Sequence, residues 1–224
     1  MSQPPKPRRA GPPHRSEVRR VVERQRQVSA KLTREEQMAG FHGWNERGYV
    51  PHRDEPGLTQ FVTFRLADSV PAELREVWEK LLAIEDDRER RTQIEAWLDL
   101  GHGACYLKDE RVAQIVASAF RHFDGSRYRL LAWTIMPNHA HVLFEANEVP
   151  MAEIVRSWKQ FTARQANTLL GRTGPFWQAD YWDTYMRDAE HEERTIRYIR
   201  HNPVKAGLVA DWKAWPWTYV RAEA

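Results

Sequence analysis

The chain has 224 residues, 42% of them hydrophobic and ten of them tryptophan, enough for one substantial core with appendages. A mean hydropathy of -0.72, no run near the ~18 apolar residues of a membrane span, and no apolar segment in residues 1–9 argue against a membrane protein or a secretory leader and predict a cytoplasmic one. The single cysteine, Cys105, excludes an intramolecular disulfide and a cysteine-rich zinc site. The net charge of +3 hides an asymmetry: residues 1–36 carry ten Lys/Arg against four Glu, so the rest of the chain is slightly acidic. Basicity therefore belongs to an N-terminal arm, and any nucleic-acid surface on the body must come from local patches.

In chain order, residues 1–14 are rich in Pro and Arg and predict a disordered arm. Residues 15–38 predict a loosely held helix with little apolar face, either a phosphate contact or a solvated tail. This arm, 1–40, is set apart from a domain over 41–224. Residues 40–57 look like a connector. Residues 58–66 alternate and are rich in β-formers, the first clear strand. Pro71 opens a long helical region through Trp78, Leu81 and Leu82 and on to Ile94, Trp97 and Leu98, with the charged run 85–91 as a solvated face. Residues 100–106 form a tight turn rather than a phosphate loop, because Gly-x-Gly alone is a weak signal.

A second helix over 109–123 and a turn at Asp124-Gly125 lead to two strands, 128–135 and 139–146, joined at Met136-Pro137-Asn138. Pro150 opens a third helix with Ile154, Val155, Trp158, Phe161, Thr162 and Leu169 inward. Residues 176–183 read as a short strand or extended segment. Asp188 caps a helix over 189–201, ended by Pro203 because the residue before proline resists the α conformation. Trp212, Trp215 and Trp217 pack on the core. The order predicts an α+β domain, an antiparallel sheet with flanking helices.

Two features point to chemistry. His139 and His141 stand two apart in a strand and so share one face. They either share a divalent metal or are two polar residues on the wet face of the strand. Far downstream, Tyr198 and Asn202 stand four apart on one helix face. A Tyr hydroxyl beside a metal-bound phosphate is a covalent nucleophile, and an Asn carbonyl can complete a ligand set. The alternatives are a core tyrosine at 198, Tyr181 or Tyr185 as nucleophile, and Asn202 as a cap before Pro203.

The segments Met136-Pro137-Asn138-His139-Ala140-His141-Val142-Leu143, Trp158-Lys159-Gln160-Phe161-Thr162, Phe176-Trp177-Gln178 and Tyr198-Ile199-Arg200-His201-Asn202-Pro203-Val204-Lys205-Ala206-Gly207-Leu208-Val209 give the chain its likeness to a family. So do Gly48-Tyr49-Val50-Pro51-His52 and Phe61-Val62-Thr63-Phe64-Arg65. Over about residues 44–218 it resembles the REP-associated tyrosine transposases, within the single-tyrosine HUH transposases of bacterial insertion sequences.

That resemblance implies a ferredoxin-like fold and cleavage of single-stranded DNA at repetitive extragenic palindromic hairpins. Tyr198 would be the nucleophile, forming a 5′-phosphotyrosine and freeing a 3′-OH that can later reseal the strand. His139, His141 and Asn202 would hold one Mg²⁺ or Mn²⁺. Lys159, Arg164, Arg187, Arg194, Arg197, Arg200 and Lys205 flank the expected site and are expected to contact DNA. A monomer working at the nucleoid is implied. Two rivals stay open: a domesticated hairpin-binding protein without catalysis, and a replication initiator or relaxase sharing the same chemistry.

Overall fold

The computed structural model describes residues 32–47 and 50–222. The disordered arm expected over 1–14 and most of the helix expected over 15–38 lie outside the described residues. Of that region the structure gives α1 (Arg34–Met38), started by a capping box in which Thr33 and Glu36 satisfy each other's backbone N–H groups. The expected connector is instead an antiparallel hairpin, β1 (Gly43–Arg47) with β2 (Val50–Asp54). Its Gly- and Pro-bearing composition concealed the strands.

The body repeats a strand–helix–strand unit twice. β3 (Thr59–Arg65), α4 (Glu110–His122) and β4 (Tyr128–Ile135) come first, then β5 (His139–Ala146), α5 (Met151–Leu169) and β6 (Trp182–Tyr185). The sheet order is β6-β3-β5-β4-β7, all antiparallel where paired. This is the βαββαβ arrangement of the ferredoxin-like fold, extended by β7 (Thr218–Val220) on the β4 edge. β5 is the middle strand.

One face of the sheet, bearing Val62, Phe64, Trp133, Val142 and Phe144, packs on α4 and α5 to form the main core. The opposite face, bearing Leu143 and Ala132, receives α6 (Ala189–Lys205) through Ile199, which is fully buried, and Ile196. Between β3 and α4 the expected long helix is broken into a 3₁₀ turn (Ala72–Leu74), α2 (Arg75–Leu82) and α3 (Asp87–Asp99). Asp86 causes the restart, since its carboxylate accepts from Glu89 N at 2.7 Å. Trp78, Ile94, Trp97 and Leu98 give this insertion its own small core, which reaches Trp182 of β6. Within α5, Phe161 and Leu169 prove exposed, because the helix rests on Ile154, Val155, Trp158, Thr162 and Ala166.

One further expectation is corrected and another sharpened. α6 does not stop before Pro203 but runs through it to Lys205, with Ala206 N bonded to Asn202 O at 2.9 Å. Pro203 lies near the helix end, where its missing N–H costs one hydrogen bond and the helix closes two residues later. The extended segment after Phe176 becomes a strand only at Trp182, preceded by an isolated bridge from Leu66 to Trp177. The tryptophan-rich tail packs as expected: Trp217 lies on the main core and Trp215 Nε1 donates to Ile135 O at 3.0 Å.

Candidate active site

β5 brings His139 and His141 to the sheet face that α6 covers, each about 1% exposed. Their rings meet edge to face at 4.7 Å, with the two Nε2 atoms 3.1 Å apart. The Nδ1 atoms are tied elsewhere. His139 Nδ1 lies 2.8 Å from Asn138 Oδ1, an oxygen that only accepts, so Nδ1 carries the proton and Nε2 a lone pair. Asn138 is itself held, its Nδ2 donating to His102 O at 3.1 Å. His141 Nδ1 lies 2.8 Å from Thr63 Oγ1, its register partner on β3. Burial pushes both imidazoles toward the neutral form, His139 down to about 3 and His141 well below the ordinary histidine value, with Lys205 adding repulsion to each.

α6 supplies the other half. Tyr198 points its hydroxyl to 3.4 Å from His141 Nε2, and Asn202, one turn on and about 1% exposed, puts Nδ2 at the same distance from that atom. Phe61 stacks on His141 at 5.4 Å and meets Tyr198 edge-on at 5.9 Å, so the tyrosine ring is fixed in place. Asn202 Oδ1 is buried with no hydrogen-bond partner. The residues read from sequence as a histidine pair and a Tyr/Asn pair therefore converge.

Sequence reasoning missed two carboxylates. Glu95 and Asp99 stand four apart on α3 and face α6. Tyr198 is held well above the ordinary phenol value by burial, by the negative charges of Glu95 and Asp99, and by donating its hydrogen bond to Glu95; a bond with Asn202 opposes them. Asp99 meets Lys205 Nζ at 2.9 Å, and burial raises its carboxyl despite that partner. The available signal was an i, i+4 carboxylate pair interleaved with the apolar residues Ile94, Trp97 and Leu98, a pattern common on solvated helices.

The rival nucleophiles are placed apart. Tyr185 pairs with Gln60, which alternates with Phe61 and so faces away from the histidines, and Tyr181 packs against the main core on that opposite side. Among the seven cations expected to meet DNA, Lys159 turns inward to donate to the carbonyls of Gln178 and Ala179 at 2.7 and 2.6 Å, and burial lowers its pKa to about 8. Arg194 pairs with Glu190, Arg197 with Glu193 and Lys205 with Asp99. The Arg200 guanidinium lies 4.8 Å over Trp212. Arg164 and Arg187 are exposed and, among the described residues, pair with no carboxylate. No helix of the described residues is long and apolar enough to cross a membrane.

Comparison with known proteins places this geometry. Residues 106–202, from the turn before α4 to Asn202, match the model of the family described as "Transposase IS200 like". A Haemophilus influenzae protein assigned to the REP-associated tyrosine transposases is 28% identical over 102 residues, 41% of this chain and 58% of that protein. The REP-associated tyrosine transposase of Escherichia coli is 25% identical over 91 residues, 41% of this chain and 53% of its own length. The chain thus spans little more than half the length of the curated relatives it matches. A solved structure of a REP-associated tyrosine transposase bound to a REP hairpin aligns with a TM-score of 0.43 at 20% identity, covering 78% of this chain and 80% of its own. The matched segment, less than half of the chain, carries both His139-Ala140-His141 and the Tyr198/Asn202 turn, and over it the chain is similar to the IS200-like transposases and to the REP-associated tyrosine transposases.

Proposed function

We propose that this chain is a metal-dependent single-strand DNA endonuclease and strand transferase that acts at palindromic hairpins through a covalent bond to Tyr198. The observation that carries the reading is the meeting of the Tyr198 hydroxyl, both histidine Nε2 atoms and the partnerless Asn202 Oδ1 in one buried place. The names of the two curated relatives support the palindromic target.

The donor set fits a divalent cation. The two imidazole Nε2 atoms, 3.1 Å apart, would be close enough to reach one ion together. Asn138 leaves His139 Nε2 as a lone pair, and with Thr63 Oγ1 accepting from His141 Nδ1 the Nε2 of His141 is a second. Two such lone pairs face to face repel unless positive charge lies between them. Turning the Asn202 amide by half a turn would bring its idle oxygen to the same spot. His139, His141 and Asn202 would hold Mg²⁺ or Mn²⁺, hard ions suited to oxygen ligands and phosphate. The ion would withdraw charge from the scissile phosphate.

The rest falls to the chain's own residues. Phe61 and His141 hold the Tyr198 ring so that its oxygen attacks phosphorus while the P–O3′ bond breaks, giving a 5′-phosphotyrosine and a free 3′-OH. Attack of a 3′-OH on that linkage re-forms the phosphodiester and frees the tyrosine, so joining needs no nucleotide cofactor.

The test is a denaturing gel of the chain with a hairpin oligonucleotide and Mn²⁺. A covalent adduct is expected that disappears in Tyr198→Phe. Strand cleavage surviving that substitution would remove Tyr198 as nucleophile, and binding without any adduct in the unaltered chain would favour the non-catalytic hairpin binder.

A further inference from the structure

The α2–α3 insertion lies outside the segment matched to the family and rests on the sheet face that carries the histidines. What it covers there is a cation. Arg65 is the register partner of His139, so its side chain leaves the sheet on the same face. It is 6% exposed, its guanidinium 4.6 Å over the Trp78 ring of α2 and 5.7 Å from that of Trp182. Nη1 donates to Ser69 Oγ at 2.8 Å, but Nε is buried without a partner, and among the described residues no carboxylate forms an ion pair with the group. Burial lowers its pKa to about 10, and the charge of Asp180 only partly opposes this.

A guanidinium buried without a carboxylate is costly. Attraction to the two indole faces offsets part of that cost but leaves Nε idle. An idle N–H on a planar fork suits a phosphate oxygen, which the docked insertion keeps away. Arg65 stands two residues, about 7 Å, along β3 from Thr63, the partner of His141, a position for a phosphate flanking the scissile one.

The insertion is built to move as a unit. Trp78, Ile94, Trp97 and Leu98 form their own cluster, and Trp78 is the one buried residue of α2. Toward α6 the attachment is polar: Asp99 meets Lys205 at 2.9 Å, with the Lys205 side chain half exposed. A small cluster so attached opens at lower free energy than the sheet and the helix seated on it. Glu95 and Asp99 also place negative charge beside Tyr198, which repels an arriving phosphodiester. DNA therefore favours whichever form has α3 withdrawn.

We propose that the α2–α3 insertion is an autoinhibitory cover latched by Asp99 and Lys205, and that DNA binds the open form, in which Arg65 grips a phosphate flanking the scissile one. The proposal rests on the reading that a phosphodiester is brought to Tyr198.

The test uses the full chain carrying Tyr198→Phe, so that binding is read apart from cleavage, with a hairpin oligonucleotide and Mn²⁺. Amide hydrogen exchange in α2 and α3 is expected to be faster with DNA than without it. Asp99→Asn in that background should tighten binding about two- to fivefold, because the latch no longer competes. Arg65→Met, which keeps the stacking, should flatten the dependence of log K on log salt by about one. Exchange in α2 and α3 that DNA leaves unchanged or slows overturns the proposal. So does unchanged or weaker binding by Asp99→Asn, and so does a salt slope that Arg65→Met does not move, which would assign Arg65 to packing alone. If the chain with Tyr198 intact forms no adduct while all three expected results are obtained, the nucleophile reading falls and the cover stands.

Discussion

Asn138 shows at the scale of a single residue how much of the site is held indirectly. Its oxygen sets the His139 tautomer and its amide nitrogen is anchored on the His102 carbonyl, so it touches no substrate yet decides where a lone pair points. Asn138→Ala should weaken Mn²⁺ binding about 10- to 100-fold by calorimetry, with the fold intact by circular dichroism. Unchanged affinity would mean that packing alone orients the ring. The histidine pair was legible in the sequence because a period of two is unmistakable in a strand with apolar flanks. Tyr198 and Asn202 were legible as a pair, but their meeting with His141 only through the resemblance, since nothing local encodes contact across about 60 residues. Glu95 and Asp99 were not legible, because a carboxylate's burial depends on what packs over it.

Among elements, β4 and β5 were read to the residue, their apolar runs bounded by a turn on each side. The β1–β2 hairpin and β7 escaped, the former for its mixed composition and the latter because three residues carry no period. Reading α6 as ending before Pro203 would have put Asn202 in a bend; the continuous helix keeps it on the Tyr198 face. Docking of α6 rests on Ile199 against Leu143 and Ala132. Ile199→Ala should cost about 2–5 kcal/mol in urea unfolding. The turn of residues 101–105, which presents the His102 carbonyl to Asn138, needs Gly103: at φ +87 an added Cβ would stand 2.5 Å from Asp68 O. Gly103→Ala should therefore lower stability by about 1–3 kcal/mol and weaken Mn²⁺ binding with it. A neutral result in both measurements would show that the turn can relax.

For the whole molecule, an antiparallel sheet with flanking helices was foreseeable from the order of elements and its ferredoxin-like topology from the resemblance, while the charge map was not. Of seven cations picked for their position along the chain, Lys159 is spent on backbone carbonyls and Arg194, Arg197 and Lys205 on carboxylates. Arg164 and Arg187 are the better candidates for phosphate. Arg164→Ala should flatten the dependence of log K on log salt by about one, the loss of a single phosphate contact, whereas Lys159→Ala should lower stability and leave that slope alone. The placement of the two half-sites has a last consequence. The imidazoles belong to the middle strand and the phenol to a helix that reaches the sheet only when Ile199 is seated, so only the folded chain brings Tyr198 beside the two histidines. On the proposed reading, cutting is interlocked with complete folding, and loss of adduct formation in urea should track global unfolding point for point.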